Sequence, residues 1–76
     1  MRVLKFSASW CQPCKALAEQ MKDISTENID IDENTELAVK YGIRGVPTLV
    51  VLDDSDKEIK RMSGVRTNAE LKEWLK

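Results

Sequence analysis

The chain has 76 residues, 42% hydrophobic and 33% charged, with a formal net charge of −1 and no histidine. A chain this short makes one domain over residues 1–76, with a single core that buries only about 60% of the surface its unfolded form exposes. The balance of 12 basic against 13 acidic residues argues against nucleic-acid and anionic-membrane partners, and the missing imidazole leaves two cysteines as the soft, strongly nucleophilic groups.

No apolar run approaches the roughly 18 residues of a membrane span. Met1-Arg2 followed by Val3-Leu4-Lys5 is interrupted by charge too early for a signal peptide, so a cytoplasmic location is expected.

Residues 3 to 8, Val-Leu-Lys-Phe-Ser-Ala, read as a strand that ends where the cysteines begin. Cys14, Leu17, Ala18 and Met21 recur at helical spacing, and Pro13 stands at a first-turn position where its missing N–H costs nothing. The spacing predicts a helix from about 12 to 23. Ile29 and Ile31, alternating with Asn28, Asp30 and Asp32, suggest a short second strand.

Asn34 offers a side-chain oxygen to start a second helix with Leu37, Ala38 and Tyr41 on its apolar stripe. Gly42 then suits the left-handed position that closes this helix, with Ile43 as the apolar contact beyond it. Thr48 to Leu52 is a continuous apolar run, as in a strand covered on both faces, and Asp53-Asp54-Ser55-Asp56 turns it into a hairpin with residues 58–63. Thr67 and Glu70 form a capping box for a last helix that buries Leu71, Trp74 and Leu75. The predicted order is βαβαββα, an α/β domain without repeats or linkers.

The Cys11-Gln12-Pro13-Cys14 segment falls between a strand and the start of a helix. Unpaired N–H groups and the positive end of the helix dipole stabilise a thiolate there, which makes Cys11 the candidate nucleophile. Cys14 lies one helical turn further on, within reach of Cys11, and is the candidate resolving thiol. Cys11 would attack a substrate disulfide, and Cys14 would release the reduced product by closing a bond to Cys11. Two other readings stay open: a zinc half-site, which lacks a third cysteine or a histidine, and a structural disulfide, which in so short a loop removes little unfolded-state entropy. No metal or bound cofactor is expected.

Trp10-Cys11-Gln12-Pro13-Cys14-Lys15, together with Tyr41-Gly42-Ile43-Arg44-Gly45-Val46-Pro47-Thr48, resembles the thioredoxin family over essentially the whole chain. The resemblance implies a minimal thioredoxin-like fold, a four-stranded mixed sheet flanked by three helices, that starts at the family's central strand. It implies a cis peptide bond between Val46 and Pro47, with the Val46 backbone pairing with an extended substrate. It also implies that Trp10, Gln12, Pro13, Gly64 and Val65 border the docking surface.

Protein disulfides as substrates, and a thioredoxin reductase or other dithiol donor as electron source, follow from the same resemblance, for a protein expected to act as a monomer. A glutaredoxin-like electron donor to ribonucleotide reductase is a second reading, suggested by the short length and by Ser63-Gly64-Val65-Arg66. A redox-independent binding module, such as a polymerase accessory subunit, is a third.

The chain departs from the family pattern in several places. Lys5 stands where the family commonly has a buried aspartate six residues before the first cysteine, and Asn28 aligns with a basic residue on the neighbouring strand. An inward ammonium at Lys5 would favour thiolate and tune the couple to a more oxidising potential, whereas a side chain that snorkels to solvent would leave it unchanged. Gln12 replaces a usual glycine. Glu19 replaces a helix-kinking proline, which predicts a straighter helix.

Overall fold

The computed structural model describes residues 1–76, with β1 Arg2–Ser7, α1 Gln12–Gln20, β2 Glu27–Asp30, α2 Thr35–Lys40, β3 Thr48–Leu52, β4 Glu58–Ser63 and α3 Asn68–Trp74. The βαβαββα order matches the sequence reading. The strands form one mixed sheet in the order β2-β1-β3-β4. β1 runs parallel to β2 and antiparallel to β3, and β3 runs antiparallel to β4.

The two-residue period of the strands divides the core between the faces of the sheet. On one face Val3, Leu49 and Val51 pack with Leu17 and Met21 from the α1 segment and Leu71 of α3. On the other, Leu4, Phe6, Ile29, Val50 and Leu52 lie under Leu37, Tyr41 and Ile43. β3 is buried along its whole length, as its unbroken apolar run predicts for a strand covered on both faces.

Local signals account for most of the element ends. Gly42 has φ +63°, its N–H donates to Val39 O, and the Ile43 N–H donates to Ala38 O at 2.9 Å. This paired closure of α2 requires a left-handed residue where glycine has no Cβ penalty. Thr67 and Glu70 make the reciprocal capping box of α3. In the β3–β4 hairpin, Asp53 Oδ1 accepts the Ser55 and Lys57 N–H groups.

Two expectations are corrected. α1 stops at Gln20, not near residue 23, because the chain turns at Met21 and donates Ile24 N–H to Met21 O, which brings Ile24 against the α1–α3 side of the core. Asn34 does not cap α2 with its side chain. Asp30 organises that turn instead, its carboxylate accepting the Asp32 N–H and its carbonyl accepting those of Glu33 and Asn34.

Candidate active site

β1 ends at Ser7, and the following turn is closed by Cys11 N–H donating to Ala8 O at 3.2 Å. This places Cys11 as the N-cap of α1, with extended backbone (φ −94°, ψ 110°) and Sγ accepting the Cys14 N–H at 3.1 Å. Pro13 occupies the first turn, where no donor is lost. The sulfur of Cys11 therefore takes the position a capping oxygen normally takes, at the positive end of the helix, where developing negative charge is stabilised.

Cys11 and Cys14 are joined in a disulfide with their Cα atoms 5.2 Å apart. They are only 4% and 5% exposed and form a small cluster with Ala8, against Ile31 and Val46. Cys11 Sγ lies 3.7 Å from Val46 O, so the sulfur borders the chain that enters β3. No cluster of three or more side chains able to hold a metal is present.

The Val46–Pro47 peptide bond is cis. Pro47 O accepts the Gly64 N–H at 3.1 Å, and Thr48 Oγ1 donates to Gly45 O at 2.7 Å. Gly64 has φ +88°, a conformation that disfavours any residue with a Cβ. These contacts bring Cys11, Cys14, Val46, Pro47 and Gly64 to one end of the sheet. Val65 is 40% and Trp10 66% exposed; Gln12 and Pro13 are also exposed.

The Trp10 indole Nε1 donates to Asp32 Oδ2 at 2.9 Å. Asp32 is a site neighbour that sequence reasoning assigns only to the polar side of a strand, because a contact across 22 positions has no local signal. Away from the cysteines, the Arg61 guanidinium bridges Glu58 and the Tyr41 carbonyl that ends α2.

Lys5 is 9% exposed and pairs in register with Asn28 on β2 and Leu49 on β3. Strand alternation puts it on the Val3 side of the sheet, the side α1 covers. It has no ion pair, yet no buried side-chain nitrogen lacks a partner, so its ammonium keeps contact with water. Burial alone pushes its pKa below the ordinary lysine value.

A family model described as Thioredoxin matches residues 1–76. A thioredoxin-like protein derived from the SPbeta prophage of Bacillus subtilis, YosR, is 33% identical over 78 residues, covering 100% of this chain and 96% of the relative. The thioredoxin of Mycoplasmoides gallisepticum is 37% identical over 81 residues, covering 97% and 80%. Among solved structures, a point-mutant thioredoxin of Halobacterium salinarum superposes with a TM-score of 0.86 at 35% identity, over 95% of this chain and 68% of that one.

Proposed function

The chain belongs to the thioredoxin family, a membership that with the Cys11–Cys14 disulfide supports thiol-disulfide oxidoreductase activity, and on that premise we propose that it reduces protein disulfides. The observation that carries this reading is the placement of Cys11 Sγ at the start of α1, receiving the Cys14 N–H at 3.1 Å beside Val46 O. That donor and the helix dipole stabilise a thiolate relative to its thiol.

In the reduced protein the Cys11 thiolate attacks one sulfur of the substrate disulfide. A mixed disulfide forms, and the substrate's other sulfur leaves as a thiolate. Cys14, deprotonated, then attacks Cys11 Sγ, closing the Cys11–Cys14 bond and expelling the second substrate thiolate. Two electrons pass from the dithiol to the substrate, and both leaving sulfurs take up protons from solvent.

In this reading Val46 offers its backbone to an extended substrate segment, with Pro47, Gly64 and Val65 on one side and Trp10, Gln12 and Pro13 on the other. Recharging comes from a thioredoxin reductase or another dithiol donor, and the setting is the cytoplasm.

The test is reduction of a disulfide-bearing protein by the reduced chain and its cysteine variants. Cys11→Ser abolishes the reaction, and Cys14→Ser traps a covalent mixed disulfide visible by mass spectrometry. A Cys11→Ser protein that still reduces the substrate refutes the assignment. Turnover supported by a thioredoxin reductase, and not by glutathione, is the expected electron supply.

A further inference from the structure

The charges around the cysteine pair are unevenly placed. Arg66 follows Val65 directly, and its Nη1 donates to Val65 O at 3.1 Å. The same nitrogen stands 3.4 Å from where a Cβ on Gly64 would lie. The guanidinium is thus folded over the Gly64–Val65 backbone, which is itself bonded to Pro47 O. It uses one of five donors in doing so.

No carboxylate forms an ion pair with Arg66. Glu70, four residues on, commits Oε1 to the Thr67 N–H at 3.1 Å and the Thr67 hydroxyl at 3.0 Å, bonds that hold its carboxyl below the usual range with help from the Arg66 charge. It lies beyond ion-pair distance, so Arg66 is only partly compensated. Arg44, two residues before Val46, is likewise exposed and has no carboxylate partner. It lines a depression with Gly45, Thr48, Arg61 and Ser63, beside the cis Val46–Pro47 bond. Arg61 is already neutralised by Glu58 at 2.5 and 2.7 Å, so Arg44 supplies the uncompensated charge of that depression.

The acids near the redox end lie on the other side: Asp30 ends β2, Asp32 follows it near Trp10, and Asp32 is bonded to the indole. The hairpin acids Asp53, Asp54 and Asp56 are a strand length away, about 17 Å for five residues, where the Met1 ammonium and Arg2 pair with Asp54 and Asp56. With a net charge of −1 the molecule as a whole does not attract anions, so any preference for acidic ligands must come from local cations: Lys15, exposed and without an ion pair, stands beside Cys14 on the α1 side, and Arg44 and Arg66 form the wall on the Val46–Val65 side.

The geometry points to a substrate class: resting on the exchange reading above, the site prefers disulfides whose attacked cysteine is flanked by acidic residues, paired with Arg44 and Arg66 on the Val46–Val65 side. An extended segment lying along Val46 presents its neighbouring side chains to both guanidinium groups. Two such exposed pairs act mainly on encounter and are screened by salt.

The test uses synthetic peptides whose single cysteine carries a thionitrobenzoate mixed disulfide, flanked by glutamate in one peptide and by glutamine in the other. Cys11 attacks the peptide sulfur and thionitrobenzoate leaves as the better, lower-pKa thiolate. Cys14 then frees the peptide, and the coloured anion reports the rate.

At about 20 mM salt the reduced protein should react with the glutamate peptide roughly three- to tenfold faster than with the glutamine peptide, and the ratio should fall to about one near 1 M salt. The double variant Arg44→Gln, Arg66→Gln should bring the ratio to about one at low salt, and Arg44→Glu, Arg66→Glu should invert it. A ratio near one in the unsubstituted protein overturns the proposal, as does a preference that survives the double glutamine variant. Failure to release thionitrobenzoate from the glutamine peptide sinks the exchange reading itself, and this inference with it; equal release from both peptides sinks only the inference.

Discussion

Replacing Lys5 by methionine keeps the apolar stem and removes the charge. In the folded protein this side chain is 9% exposed and has no ion pair, and burial holds its pKa below the ordinary lysine value. Burying a polar group without compensation costs about 1–3 kcal/mol in protein mutational data; because this ammonium still meets water, the low end applies. Lys5→Met should therefore stabilise the oxidised protein by about 1 kcal/mol, raising Tm by about 4–8 °C in a domain of this size.

The pH dependence has a definite sign. A lysine whose folded pKa is depressed binds fewer protons in the folded state, so stability rises with pH between the folded pKa and the ordinary value of 10.5. The advantage of the variant should accordingly shrink toward zero above that range. Thermal unfolding of both proteins at neutral and strongly alkaline pH reads this directly. A variant no more stable than the parent at neutral pH, or an advantage unchanged by alkali, refutes the reasoning.

The same pair of proteins closes a redox cycle. Each kcal/mol by which the ammonium favours the reduced form is worth about 20 mV for a two-electron couple. An ammonium that acted on the pair would make Lys5→Met lower the potential and Lys5→Asp lower it further, whereas the water contact of this ammonium predicts little change in Lys5→Met. An unchanged potential in both variants separates Lys5 from the couple.

Leu17→Ala empties the centre of the α1–α3 side of the core, where Leu17 is fully buried against Val3, Leu49, Val51 and Leu71. It should cost about 3–5 kcal/mol in denaturant titration, a large part of the total of about 4–11 kcal/mol expected for a domain of this length. Thr67→Ala removes the capping box of α3 and should cost about 1 kcal/mol, read as a lower Tm. Asp32→Ala releases the Trp10 indole from its bond; stability should change by less than about 1 kcal/mol, while indole fluorescence and disulfide turnover change measurably. Acid should weaken the α1–α3 junction: Lys72 and Asn68 hold the Asp23 carboxyl below the usual range, so its contribution is present above the ordinary carboxylate pKa and lost as pH falls through the depressed one. Asp23→Asn should flatten acid unfolding in that window.

Periodicity and end signals carried most of the fold. The Gly42 closure, the Thr67–Glu70 box and the buried run of β3 are all local rules, written within a few residues. Where two local rules compete, one loses: Asn34 is a good capping residue, but Asp30 organises the turn. Met21 continues the helical spacing yet serves as the cap, because Ile24 is drawn to the core. The cysteine pair was legible because strand, motif and helix start are contiguous. Asp32 under Trp10 and Arg61 at the end of α2 depend on tertiary contacts, which no local window contains.

The division between local and tertiary applies to the site itself. The electrostatic help to Cys11 comes from one helix start, but α1 has nine residues, and isolated helices shorter than about 12–15 residues are marginal in water. What holds α1 in place is Leu17 in the core, so thiolate stabilisation is inherited from packing on β1 and β3. The proposed docking wall is inherited from these two strands and β4: β1 delivers Cys11, β3 begins just after Val46–Pro47, and β4, paired to β3, brings Gly64 to the Pro47 carbonyl. On the proposed reading, nucleophile and docking wall are therefore set by one stretch of sheet. β2 and α2 act on the site from its margin, through Asp32 and the closure at Gly42, so changes there should alter substrate capture before they alter the reactivity of Cys11.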